Sequence, residues 1–397
     1  MAKRITFLAV IVSWLLGTSV FFAATYTAPR KPAPPSSRKP TRLSSKRVTQ
    51  RHATAAQGRL QRRRVRRSPW HTSSYGDPSA NDDPAGDDPA IRSAAVAALG
   101  KWNGSVVVAD PNTGRLLTVV NQKLATEGAF TPCSTFKPIV ALAALKEGLI
   151  TPDTTLRAEP RLRAYGSRNI NLTQALAHSS NVFFSKVGQM LGFDRLIEYA
   201  HKFGLGEKSA ADIPGESTGH LPSEPPKEGG VGMVAYDGWS FDVTPLQMTA
   251  LVSTIANGGT LYELQYPRTR EEAAQFEPKV RRKLDDLAPY FPDVRDGMAA
   301  AVLYGTGRFA YDPQIDIFGK TGTCSENGAR LGWFISYSGQ QSPKYAVVVL
   351  LRGGRLMYGP HAAEIAGKLY RDLELRAQNQ PPVQNVPALT LLRLPAR

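Results

Sequence analysis

The spacing of apolar and polar positions changes character several times along the chain. Residues 5–24 (ITFLAVIVSWLLGTSVFFAA) form an uncharged apolar run behind Lys3 and Arg4, long enough to cross a bilayer as a helix. That order suits a signal peptide or an uncleaved single-pass anchor. The poor cleavage site after the run favours a retained anchor over residues 1–28. Residues 29–69 carry no periodic apolar pattern and are rich in Pro, Ser, Arg and Lys. They read as disordered linker, and the acidic, Pro-rich stretch that follows (GDPSANDDPAGDDPA) reads as its second piece, ending at Ile91.

Regular patterns begin after that. Residues 105–110 and 115–120 are β-branched runs joined by Pro111-Asn112-Thr113-Gly114, a hairpin signal. The same signal returns at residues 315–324, 330–337 and 345–351, separated by turn residues. Between the two groups, residues 134–147, 172–191, 193–203 and 245–257 show helical patterns, and a last one spans 361–376. Strands at both ends with helices between predict an α+β fold. An antiparallel five-stranded sheet is formed by both ends of a domain over residues 92–376, beside an α-helical lobe. Residues 377–397 read as a loose tail.

Charge sharpens this division. No Asp or Glu precedes Asp77, and the basic residues before it account for the whole net charge of +16. The folded part is therefore balanced, which argues against nucleic acid as its partner despite the run Arg62-Arg63-Arg64-Val65-Arg66-Arg67. The basic stretch is a solvated spacer or a contact for anionic lipid or wall polymer, and the sequence leaves both readings open. The six histidines form no ligand-like cluster and no Gly-rich phosphate loop follows a strand, so neither metal nor cofactor is expected.

Three short runs carry candidate chemistry. Ser134-Thr135-Phe136-Lys137 opens an apolar helical run. Residues three apart share a helix face, so the Lys137 amine would lie beside the Ser134 hydroxyl and could take its proton. Ser179-Ser180-Asn181 follows an amphipathic segment and could project a relay hydroxyl and an amide into a cleft. Gly319-Lys320-Thr321-Gly322-Thr323 lies on a strand signal. There Lys320, Thr321 and Thr323 would meet a substrate carboxylate, while Gly322 would let a peptide lie against the strand. The first two runs alone are weak, each arising by chance about once in a chain of this length, and the third is the most informative, at about 0.2 per chain; their order on the expected elements makes coincidence improbable.

In these runs the sequence resembles the penicillin-recognising serine enzymes, penicillin-binding proteins and serine β-lactamases, which share Ser-x-x-Lys, Ser-x-Asn and Lys-[Ser/Thr]-Gly. The likeness extends to Val243-Thr244-Pro245-Leu246-Gln247-Met248, Ile255-Ala256-Asn257-Gly258-Gly259 and Gly332-Trp333-Phe334, and is greatest to the transpeptidase domain of class B penicillin-binding proteins. It implies Ser134 as nucleophile, Lys137 as base, Ser179 and Asn181 as relay and amide contact, and Lys320, Thr321 and Thr323 at the carboxylate. The backbone N–H groups of Ser134 and Thr323 would form the oxyanion hole. Peptidoglycan stem peptides and β-lactams are the implied partners, with the domain outside the cytoplasm on a single-pass anchor in the cytoplasmic membrane. The positive-inside rule alone would put the basic linker in the cytoplasm; the chemistry decides against it.

The same resemblance pairs Cys133 with Cys324, positions bridged in certain carbapenem-hydrolysing class A β-lactamases, and an exported domain is oxidised. No Glu-x-x-Leu-Asn run supplies a deacylating carboxylate. Glu198, Glu216 and Glu224 qualify by position only, so slow deacylation and a transpeptidase or carboxypeptidase are expected. A β-lactamase and a penicillin-sensing receptor are the alternatives.

Overall fold

The computed structural model describes residues 70–163, 168–227 and 230–379. The anticipated anchor, most of the anticipated linker and nearly all of the tail lie outside the described residues. No helix among the described residues is long and apolar enough to cross a membrane.

In chain order the main elements are α1 (Pro89–Leu99), β1 (Gly104–Ala109), β2 (Leu116–Val120) and α2 (Lys137–Lys146). There follow α3 (Leu172–Ala177), α4 (Asn181–Leu191), α5 (Phe193–Lys202), α6 (Gly230–Asp237), α7 (Pro245–Asn257) and α8 (Phe291–Leu303). The chain then forms β3 (Ile317–Glu326), β4 (Ala329–Ser338), β5 (Tyr345–Gly353) and α9 (Gly359–Asn379). The five strands make one antiparallel sheet in the order β2-β1-β5-β4-β3, so both ends of the domain build it as the patterning implies. Val107 pairs with Val348, and Thr321 with Phe334.

Helices cover both faces of the sheet, which is why β1 and β5 are nearly continuous apolar runs. One face packs on α1 and α9 through Val106, Val108, Val347, Val349, Ala366 and Leu369. The other packs on the helical lobe through Trp333, Ile335, Val348 and Leu350, with Phe136, Ile139, Leu142, Leu251 and Val252 beneath. The α7 helix has the predicted bounds because its ends are written locally. Thr244 and Gln247 form a capping box, Pro245 opens the first turn, and Gly258 closes it in the left-handed region.

Two expectations are corrected. Residues 172–191 do not form one helix: α3 stops at Ala177, Ser179 takes a φ of 54°, and α4 restarts with Ser180 as N-cap to Phe183. The acidic stretch before Ile91 is not linker but part of the fold. Asp82 accepts from the backbone N–H groups of Asn121 and Gln122, Asp87 accepts from Val119 N–H and the Tyr266 hydroxyl, and both aspartates pair with Arg92. Asp88 then caps α1, which starts before residue 92. Farther upstream, His71 N–H donates to Gly328 O, and Ser74 Oγ accepts from Gly354 N–H.

Candidate active site

The nucleophile motif sits where a short 3-10 turn, Cys133–Phe136, runs into α2. In that turn the Lys137 N–H bonds Ser134 O, and residues three apart stand one above the other. The Ser-x-x-Lys spacing is thereby fixed by the backbone. Pro138 lies in the first turn of α2, where its missing N–H costs nothing. Ser134 and Lys137 are both buried, the lysine completely.

Lys137 Nζ donates to Asn181 Oδ1 at 2.7 Å, Ser179 O at 2.9 Å and Ser179 Oγ at 3.0 Å. The break between α3 and α4 is what presents these acceptors. A continuous helix would spend Ser179 O within its own ladder; the left-handed residue turns it towards Lys137 instead. Glu159 secures the break, its carboxylate accepting from Ser180 Oγ at 2.8 Å and Val182 N–H at 3.2 Å. Burial pushes the Glu159 carboxyl up, but these bonds outweigh it and hold it below the usual range.

On β3 the side chains alternate. Thr321 and Thr323 line a cleft of about 340 Å³ together with Ser134, Ser179, Asn181 and Arg330. Lys320 is fully buried, and its Nζ donates to Ser179 Oγ at 2.8 Å and Thr321 O at 2.9 Å. Lys320 is therefore turned to the Ser179 hydroxyl, not out to a carboxylate in the cleft as the spacing suggests. Burial lowers its amine to about 7, so near neutral pH it exchanges between ammonium and amine. Ser179 Oγ accepts from both lysines and links the two motifs.

Gly322 also has a different reason from the one anticipated. A Cβ there would lie 3.0 Å from Pro132 O, 3.1 Å from Thr135 Cγ2 and 3.2 Å from Cys133 Cβ. The glycine lets the strand approach the nucleophile turn. Three further links hold that approach. Cys133 and Cys324 form a disulfide, Trp333 Nε1 donates to Thr131 O at 3.0 Å, and Glu326 accepts from Thr131 N–H at 2.9 Å.

Several cleft residues were not foreseen. Thr321 Oγ1 donates to Thr306 Oγ1 at 2.6 Å. Thr306 lies in Tyr304-Gly305-Thr306-Gly307, where a Cβ on Gly305 would meet Ala177 O at 2.1 Å, so the Gly-Thr-Gly run is the signal that was passed over. His178, Tyr358 and Pro360 complete the lining, and the Gly359 N–H donates to Thr323 Oγ1 at 2.8 Å. Ser134 Oγ donates to Tyr236 O at 3.3 Å, and next to it Asp237 is raised to about 6 by burial, against the opposing pull of Lys137. The carboxylates singled out by position lie elsewhere. Glu198 pairs with Arg195 and Lys202, Glu216 accepts from Ser209 and Ala210 N–H, and Glu224 is exposed.

A serine stacked on a buried lysine, a Ser-x-Asn break and a Lys-Thr-Gly strand facing one cleft define the active-serine class of site. Residues 104–371 match the family described as the penicillin binding protein transpeptidase domain, and the chain belongs to that family. It is 23% identical over 351 residues to peptidoglycan D,D-transpeptidase MrdA of Acinetobacter baumannii, covering 71% of this chain and 52% of that protein. It is 29% identical over 283 residues to stage V sporulation protein D of Bacillus subtilis, covering 64% and 44%. Over 176 residues it is 34% identical to MrdA of Escherichia coli K12, covering 39% and 27%. The chain thus spans about half the length, or less, of these relatives. The D,D-transpeptidase domain of a peptidoglycan glycosyltransferase from Eggerthella lenta shares the fold, with a TM-score of 0.59, 22% identity and coverage of 73% and 82%.

Proposed function

We propose that this chain is a serine D,D-transpeptidase or carboxypeptidase acting on peptidoglycan stem peptides, and that penicillins acylate the same Ser134. One observation carries the reading: the buried Lys137 is held by Ser179 and Asn181 one turn below the serine. In this mechanism the Ser134 hydroxyl rotates from Tyr236 O and passes its proton to the neutral form of the Lys137 amine, which has released one of its three acceptors, as Oγ attacks the carbonyl carbon. The backbone N–H groups of Ser134 and Thr323 take the oxyanion; losing such a donor costs about 3 kcal/mol of barrier. Ser179, between two lysines, returns a proton to the departing D-alanine amine, and Asn181 holds the substrate amide. Thr321 and Thr323 bind the terminal carboxylate. An amine or water then takes the acyl group. Residues 5–24 would hold the domain at the cytoplasmic membrane in a single pass, with the cleft outside the cytoplasm.

The test is a fluorescent penicillin added to the full chain. A covalent adduct that is absent from Ser134→Ala, together with release of D-alanine from a D-alanyl-D-alanine peptide, supports the reading. Labelling of Ser134→Ala would overturn it.

A further inference from the structure

We propose that Asp237 is the general base that clears the Ser134 acyl-enzyme with water, giving the chain a hydrolytic activity beside acyl transfer. The proposal rests on the acyl-enzyme reading above. Three contacts place this side chain against the nucleophile turn. The carbonyl of the residue before it, Tyr236, accepts from Ser134 Oγ at 3.3 Å. The residue after it, Gly238, is so close to the turn that a Cβ would lie 2.3 Å from Pro132 Cγ. Between them, a carboxylate oxygen of Asp237 lies within 4.8 Å of the sulfurs of Cys133 and Cys324. Residues 236–238 thus follow residues 132–134 along their length.

The two sulfurs offer no metal site, because they are joined to each other. The carboxylate takes no hydrogen bond from any described residue; its one electrostatic partner is Lys137, the expected base for acylation. A structural aspartate at a helix end would bond backbone N–H groups, as Glu216 does at Ser209 and Ala210. A half-buried carboxylate left unbonded beside the nucleophile turn has lone pairs available for a water.

The step balances with water as co-reactant. The water oxygen attacks the acyl carbon while Asp237 takes one of its protons. The tetrahedral intermediate then collapses, the bond from carbon to Ser134 Oγ breaks, and a proton returns to Oγ through Lys137. The products are free serine and a carboxylic acid: a shortened stem peptide or an opened penicillin.

The experiment follows fluorescent penicillin on the full chain, recording formation and loss of the adduct in wild type and Asp237→Asn. Loss is expected to slow about 100-fold in the variant, far more than formation does. Loss slowed no more than formation would overturn the proposal. If the variant fails to fold and takes no label, the wild type decides. Lys137 is the charged group facing Asp237 from α2, and the bridged cysteines do not titrate. Loss should therefore fall as pH drops through about 6, and a rate indifferent to pH there would overturn the assignment. A wild-type chain that forms no adduct removes the Ser134 reading itself, and this proposal with it.

Discussion

The two walls of the cleft reach the same precision by opposite means. The helical wall is irregular: Cys133 and Ser179 have φ of 52° and 54°, a conformation costly for residues with a side chain. It is held by side-chain bonds from Glu159, Asn181 and Lys137. The strand wall is a regular ladder in which β3 pairs with β4 from Ile317 to Glu326, so alternation alone sends Thr321 and Thr323 to the cleft and Lys320 beneath it. In the mechanism proposed above, the serines that pass protons stand at or beside this irregular backbone, which can aim a carbonyl as well as a side chain, and the threonines that bind stand on the ladder.

Four changes would break or sharpen this contrast. Lys137→Met removes the hub of the helical wall and should slow acylation by about 1,000-fold, read as the rate of adduct formation. A variant within tenfold of wild type would move the base elsewhere. Cys324→Ser uncouples the walls and should lower stability by about 3 kcal/mol in urea unfolding, with the walls otherwise intact. Glu159→Ala loosens only the helical wall; stranding the buried Ser180 hydroxyl should cost about 2 kcal/mol and slow acylation, while penicillin affinity before acylation changes less. If affinity falls as much as rate, Glu159 does not serve the helical wall alone.

The last change tests Lys320, whose effect is read per unit of pH. Burial lowers it from 10.5 to about 7, so between those values the unfolded chain keeps a proton that the folded chain has lost. Stability therefore rises with pH across that window, by at most about 1.4 kcal/mol per unit. Urea midpoints collected through it should show the slope in wild type and not in Lys320→Met. An equal slope in both would place the titration on another group.

What could be read from the sequence follows the same division. The sheet was legible because its strands are contiguous, β-branched and bounded by turns, and α7 because both caps lie within a few residues of its ends. The break at Ser179 was not, since the apolar spacing of residues 172–191 continues through it and only Lys137, far away in sequence, shows why it exists. Residues 82–88 were misread for a related reason: their carboxylates look solvated until Asn121, Gln122 and Tyr266 are brought to them. Of the motif members, Ser134, Ser179, Asn181, Thr321 and Thr323 line one cleft, while Lys137 and Lys320 are buried behind it. Asp237 belongs to no run with a recognisable spacing, and the Gly-Thr-Gly run around Thr306 shows its purpose only once Gly305 is packed on Ala177. The direction of Lys320 followed from burial and alternation together, and a spacing argument sees neither.

The bridge between Cys133 and Cys324 spans 191 positions and closes the whole helical lobe, from α2 to β3, into a covalent ring. A protease that cuts once inside the ring opens it without releasing a fragment. The nicked chain keeps one mass until a reductant is added, and Ser134 stays attached to the strand that faces it. Digestion resolved with and without thiol would therefore map exposed loops of the lobe while leaving the two walls of the cleft in one molecule.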